Sequence, residues 1–156
     1  MSSSKYQMRH VEYEFKDRKQ MEQFLAQAMV GHLGLYDGEE PYVVPFNFAY
    51  KNNRIYMHSA RKGRKIDILK QNPRVCLAVD EFLGYDPIKK FTSYRSVLCF
   101  GTVDFLTAND GPSYLEALEL INQKYDPKGK LSCTEGALVL RLDIDVMTGR
   151  EKIQER

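Results

Sequence analysis

An antiparallel β-barrel with helices on its periphery is the architecture this chain predicts, from three observations. Near the carboxyl end, Leu138, Leu140, Leu142, Ile144 and Val146 alternate with Arg141, Asp143 and Asp145, and only Val139 breaks the polar set. A period of two over that length marks a half-buried antiparallel strand. Two amphipathic helical patterns, Met21 to Met29 and Tyr114 to Tyr125, lie far apart in the chain. About six strand-like runs, joined early on by hairpin-length connections, show no repeating strand–helix–strand order, which argues against a doubly wound sheet.

The 156 residues read as a single domain, long enough to bury a core. The mix of 43% hydrophobic and 28% charged residues is that of a soluble globular protein. A net charge of +2 is too small for wholesale nucleic-acid binding, so any electrostatic site must be local. Cys76, Cys99 and Cys133 are odd in number and lack a CxxC spacing; they read as buried reduced thiols rather than metal ligands or disulfides. The amino-terminal segment has no apolar h-region, and no stretch approaches the ~18 apolar residues of a membrane span. The expectation is a cytoplasmic protein with neither nucleic acid nor membrane as partner.

Taken in order, residues 1–10 and 150–156 read as mobile ends. Asp17, with Gln20 three residues on, signals the cap of a first helix. Met21, Phe24, Leu25, Ala28 and Met29 share its face, and Gly31 stops it. A short strand at His32–Tyr36 leads through Asp37-Gly38 into Tyr42–Tyr50. Pro45 interrupts that strand, which must therefore be an edge, or bent or bulged there. Asn52-Asn53 predicts a tight hairpin into Arg54–Ser59, because Asn tolerates positive φ. Lys65–Gln71 reads as a short helix ended by Asn72-Pro73. Val75–Phe82 is the next strand, and Leu83–Thr92, with Gly84 and Pro87, reads as a loop able to cover a site. Tyr94–Leu106 is a long strand with a bulge or close approach at Gly101. Gly111-Pro112 opens the second long helix, whose apolar face is Tyr114, Leu115, Leu118, Ile121 and Tyr125. The charged tail GREKIQER reads as solvated.

The chemistry concentrates between Pro41 and Leu69. Arg61, Lys62, Arg64 and Lys65 flank Gly63 where a strand ends and a helix begins. Such a cluster can be a solvated loop or a nucleic-acid patch, but its position favours phosphate. Unpaired amides and the helix dipole add to the side-chain charge there, and a phosphomonoester carries nearly two negative charges. Lys65, at the helix start, is the strongest single candidate. His58 ends an apolar strand, and is either a structural residue or a proton carrier. His10 and His32 offer no metal spacing. No GxSxG, Walker A, GxGxxG or HExxH motif is present. Asp143 and Asp145 share a strand face, more in keeping with a polar outer face than with a catalytic carboxylate pair.

The succession PYVVPFNF, IYMHSARKGRKIDIL, NPRVCLAVDE, YRSVLCFGTV and MTGRE, running from about Met8 to Glu151, resembles the pyridoxamine 5′-phosphate oxidase-like FMN-binding split barrels, in particular the nitroimidazole-resistance branch. The resemblance implies a six-stranded antiparallel split barrel, mainly β with peripheral helices, forming a homodimer with FMN at the interface. It implies that Val44, Pro45 and Phe46, with Asn47 nearby, edge the flavin ring. By the same resemblance His58 and Ser59 line the ribityl-phosphate side, Lys65 with Lys62 or Arg64 holds the phosphate, and Tyr94, Arg95 and Ser96 reach the site from another strand. Close relatives often carry a cysteine before the YRSV-like strand, where this chain has Phe91-Thr92-Ser93. The implied activity is FMN-dependent transfer of electrons from NAD(P)H to a small acceptor such as a nitroaromatic. No residue is required as acid or base, and His58 and Tyr94 are the candidate proton donors. The alternative is a non-catalytic flavin- or haem-binding split barrel.

Overall fold

The computed structural model describes residues 4–131 and 135–155. Cys133 lies outside them. Seven strands form one antiparallel sheet: β1 (Gly31–Tyr36), β2 (Pro41–Phe46), β3 (Ala49–Lys51), β4 (Arg54–Ser59), β5 (Arg74–Asp86), β6 (Phe91–Leu106) and β7 (Leu138–Lys152), in the order β2-β1-β5-β6-β7-β4-β3. Three helices, α1 (Arg18–Gln27), α2 (Arg64–Gln71) and α3 (Pro112–Tyr125), flank it.

The connectivity curls the sheet. β2 and β3 are its two outermost strands, yet only Asn47 and Phe48 separate them in the chain. Laid flat, seven strands would hold the edges roughly 29 Å apart, whereas the link from Phe46 to Ala49 spans at most about 10 Å. The edges therefore meet, and the seam between them is the split in the barrel. The sequence counts about six strands because it runs Tyr42–Tyr50 together; the corner at Asn47-Phe48 divides that run into β2 and β3.

Alternate residues of five adjacent strands fill the interior: Leu33 and Leu35, Ile55 and Met57, Leu77 and Val79, Val97 and Cys99, Leu140 and Leu142. Met21, Phe24 and Leu25 of α1 join the same core. The α1 cap forms as its sequence dictates, with the Gln20 amide donating to Asp17 Oδ1 at 3.1 Å. The helix stops at Gln27, before Gly31, so Met29 is exposed instead of on the buried face. α3 covers the outside of β4 and β7 through Tyr114, Ala117 and Leu118, which pack with Leu106 and Val139; Leu115, assigned to that face by spacing, is exposed.

Asn52 and Asn53 both have positive φ, as the hairpin requires. The register of β6 against β7 slips between Phe100 and Gly101. A Cβ on Gly101 would lie 1.9 Å from the Asp143 carbonyl oxygen, so the bulge admits only glycine. Two stretches differ from expectation. Leu83–Thr92 is not a loop: β5 and β6 continue as a paired arm, with Gly84 opposite Ser93 and Asp86 opposite Phe91. β7 likewise runs on through Gly149 to Lys152, paired with Ser96–Tyr94. Among the described residues, no helix is long and apolar enough to cross a membrane.

Candidate functional site

β2 pairs only with β1, so Pro45, opposite His32, removes a donor where no third strand needs one. Along β2 the side chains alternate: Val43 and Pro45 are exposed, Val44 packs on the core, and Phe46 is buried. Asn47 is exposed at the corner. β4 ends beside this edge, and the chain turns through Ala60–Gly63 into α2. Gly63 has φ 140° and ψ 171°, a region essentially restricted to glycine. A Cβ there would touch nothing, so backbone conformation alone demands the glycine.

Gly63 is also the N-cap, and no side chain caps α2. The amides of Ile66 and Asp67 both donate to the Gly63 carbonyl. Those of Arg64 and Lys65, the first two residues of the helix, have no acceptor within it. Ile66, Ile68 and Leu69 bury the other side of α2, which fixes the direction of these amides. Lys65 Nζ lies 5.3 Å from the centre of the Phe46 ring, joining the helix start to the buried end of β2.

The four cations are not equivalent. Arg64 donates to Glu40 at 2.7 Å, approaches Asp37 at 4.0 Å and stacks on Tyr42 at 4.6 Å. Arg61 donates to the Glu135 carbonyl at 2.6 Å. Lys62 is exposed. The backbone amides of Glu40 and then Glu39 hold the Asp37 carboxyl below its ordinary pKa, with Arg64 adding to the effect. The partners Glu40 and Tyr42 were missed in the sequence. The one available signal was the Asp37-Gly38 turn, which returns β2 beside β1.

His58 and Ser59 are adjacent on a strand and so face opposite ways. Ser59 is buried and donates to the Ala60 carbonyl at 2.9 Å. His58 faces outward and lines a cavity of about 210 Å³ with Asn47, Leu118 and Tyr125. Tyr94, Arg95 and Ser96 sit on the arm of β6, opposite Phe82, Glu81 and Asp80. Arg95 pairs with Glu151 at 3.2 Å and lies over the Phe15 ring. Two strands, β1 and β5, intervene between β2 and β6 in the sheet, a separation of roughly 14 Å along a flat path. Among the described residues no hydrogen bond, ion pair or ring contact joins this trio to the α2 corner.

The other residues set aside in the sequence have structural partners. Asp143 binds Arg54 at 2.9 Å and Arg141 at 3.0 Å, and Asp145 pairs with Arg74. Burial pushes the Cys99 thiol up to about 12 and raises Cys76 as well. No cluster of three metal-ligating side chains occurs among the described residues.

Comparison with known proteins agrees with this architecture. A crystal structure of a candidate 5-nitroimidazole antibiotic resistance protein from Bacteroides thetaiotaomicron superposes with a TM-score of 0.77 at 31% identity, over 88% of this chain and 86% of that one. An FAD-binding protein from Mesorhizobium loti shares the fold at 24% identity, TM-score 0.68, over 88% of this chain and 96% of that one. An uncharacterised protein of Rhizobium meliloti is 27% identical over 144 residues, 85% of this chain and 91% of its own. The family model described as pyridoxamine 5′-phosphate oxidase matches residues 17–151, almost all of the sheet and all three helices. On that match and that fold, the chain belongs to the pyridoxamine 5′-phosphate oxidase-like family of split barrels.

Proposed function

We propose that the protein is an FMN-dependent oxidoreductase that acts as a homodimer and passes electrons from NAD(P)H to a small acceptor such as a nitroaromatic. The observation that carries this reading is the uncapped start of α2, with Lys65 poised between it and Phe46. A terminal phosphate fits that corner chemically: two amides lack acceptors within the helix, the dipole is positive there, and an ammonium stands beside them. Lys65 and Lys62 are the side chains for the phosphate. Arg64 is engaged by Glu40, which sets it apart from these two lysines. Val44–Asn47 would border the ring with an edge whose outer side no strand covers.

When bound, the flavin supplies the redox chemistry, and the chain supplies binding and orientation. His58 lines an open cavity with Asn47, and is better placed than Tyr94 to hold a proton near that edge. The dimer is supported by the outer face of β5 and β6. There Cys76 lies opposite Phe100, Ala78 opposite Leu98 and Phe82 opposite Tyr94, and Phe82 is 70% exposed. In the proposed dimer Tyr94 and Ser96, which share that outer face, would lie at the interface, whereas Arg95 points to the other side of β6, over Phe15. The resemblance to a candidate nitroimidazole-resistance protein and to an FAD-binding protein supports a flavin-linked role.

The test is the visible spectrum of the purified protein, followed by NADPH oxidation. Flavin absorption, with turnover that rises on adding a nitroaromatic, is the expected result. Bound flavin without that rise would favour a carrier, and a haem Soret band without flavin would favour the haem-binding alternative.

A further inference from the structure

The seam of the barrel carries a backbone problem that α3 solves. β2 pairs with β1 and β3 with β4, so the ladder lapses at the corner between them. Phe48 sits there with its side chain fully buried. Its amide and carbonyl cannot be left unpaired in such a place. Both are satisfied by α3, from more than seventy positions away. The Phe48 amide donates to the Tyr125 hydroxyl at 3.0 Å, and that hydroxyl lies 2.7 Å from the Met29 carbonyl, to which it donates. The Phe48 carbonyl accepts from Lys124 Nζ at 3.0 Å.

The Lys124 ammonium has two further acceptors, the Leu25 carbonyl at 3.2 Å and the Ala28 carbonyl at 2.5 Å. Each of its three N–H groups thus has one carbonyl, and its charge lies 4.0 Å from the centre of the Phe48 ring. Leu25 and Ala28 close the carboxyl end of α1, where a cation also meets the negative end of the helix dipole. Burial pulls the Lys124 pKa down to about 8, so this charge is held at a cost in hydration that a freely solvated lysine would not bear. Two consecutive side chains therefore tie together α1, the barrel corner and α3. Neither residue touches the phosphate corner, and the proposed function leaves both without a role.

We infer that Lys124 and Tyr125 are positioning residues for the cofactor-bordering strand: by clamping Phe48 they fix the Asn47–Phe48 corner, and with it the backbone of Val44–Asn47 that faces the ring. The inference rests on the flavin reading above and adds to it a control point away from the phosphate corner, where Tyr125 walls the cavity that His58 and Asn47 also line. The clasp acts on the ring side, as Lys65 acts on the phosphate side. Its loss should therefore weaken FMN and riboflavin alike.

The test uses full-length protein, wild type against Tyr125→Phe and Lys124→Met. Tyr125→Phe removes one oxygen atom and so remains informative should Lys124→Met fold poorly. Without flavin, hydrogen exchange at the Phe48 amide should run roughly tenfold faster in Tyr125→Phe. In titrations, FMN and riboflavin should both bind roughly fivefold more weakly, by the same factor, with displaced flavin absorption bands. A variant that loses melting temperature but keeps wild-type flavin affinity and band positions would overturn the inference and leave the clasp a purely structural tie. Unchanged exchange at Phe48 would overturn it too. Wild-type protein that takes up neither FMN nor riboflavin would instead overturn the flavin reading itself, and the exchange measurement keeps the two failures apart.

Discussion

Two clusters of cations lie in this barrel, and their surroundings make them opposites. On the β4–β7 wall, Arg54 and Arg141 share Asp143, Arg141 also reaches Asp104 at 3.1 Å, and Arg74 pairs with Asp145. Register explains it: Arg54 stands directly opposite Asp143, and Arg141 opposite Asp104. Arg54 and Arg141 each meet a carboxylate on the neighbouring strand, and Arg74 of β5 reaches past β6 to Asp145 of β7. At the start of α2, among the described residues, the carboxylates reach only Arg64. Lys62 and Lys65 remain beside a helix terminus that adds positive potential of its own. A count of basic residues cannot separate the two clusters. What separates them is whether the fold brings an anion opposite each cation, and the wall does so while the corner leaves room for one from outside.

Glycine substitutions test that contrast most severely. Gly101→Ala at the wall drives a Cβ into the rigid Asp143 carbonyl. It should cost about 2–3 kcal/mol, read as a fall in the urea midpoint, while the surviving folded protein keeps its preference for FMN over riboflavin. Loss of that preference would mean that the wall and the corner are not independent. Gly63→Ala at the corner clashes with nothing but forces alanine to φ 140°. The strain should cost on the order of 1–3 kcal/mol and, unlike the wall substitution, erode the preference, because the relaxed backbone turns the Arg64 and Lys65 amides away. A Gly63→Ala protein with wild-type affinity for both ligands would contradict the assignment of those amides.

Acid should loosen the corner. The Asp37 carboxyl is held below its usual pKa of 3.8, chiefly by the Glu40 and Glu39 amides. A depressed folded-state pKa means that its stabilisation is complete above the unfolded value and is lost as pH falls through the folded one. Urea midpoints should thus decline below about pH 4, and Asp37→Asn should flatten that decline. An identical slope in the variant would remove Asp37 from the account. The smallest effect is a gain. Glu40→Gln releases Arg64, an exposed residue, into the corner, and should tighten FMN binding on the order of twofold in low salt. Tightening of riboflavin by the same amount would show that the freed charge does not act on a phosphate.

What could be read from the sequence follows the same division between local and spatial causes. Asp17 caps α1, Asn52-Asn53 turns the hairpin and Gly101 makes the bulge, because each needs only its own backbone and near neighbours. Pro45 marks the sheet edge for the same reason, through its missing donor. The arm of β5 and β6 was hidden because Gly84 and Pro87 imitate a loop and Phe82 and Tyr85 are exposed rather than alternating against a core. The pairing of Arg64 with Glu40, 24 positions earlier and 2.7 Å away, has no local signature in the sequence. Nothing local singles out Lys124, since its three carbonyl partners lie 76 to 99 positions away. The helix start itself was legible, because the break at Gly63 between an apolar strand and an amphipathic turn is a local pattern.

The measurement that bears most directly on the corner is calorimetric titration of flavin-free wild-type and Lys65→Ala protein with FMN and with riboflavin. The account predicts that the substitution weakens FMN roughly tenfold or more, the loss of one charge-assisted contact, and leaves riboflavin within about twofold. Equal weakening of both ligands, or no change in either, would contradict a phosphate held by Lys65 at the start of α2.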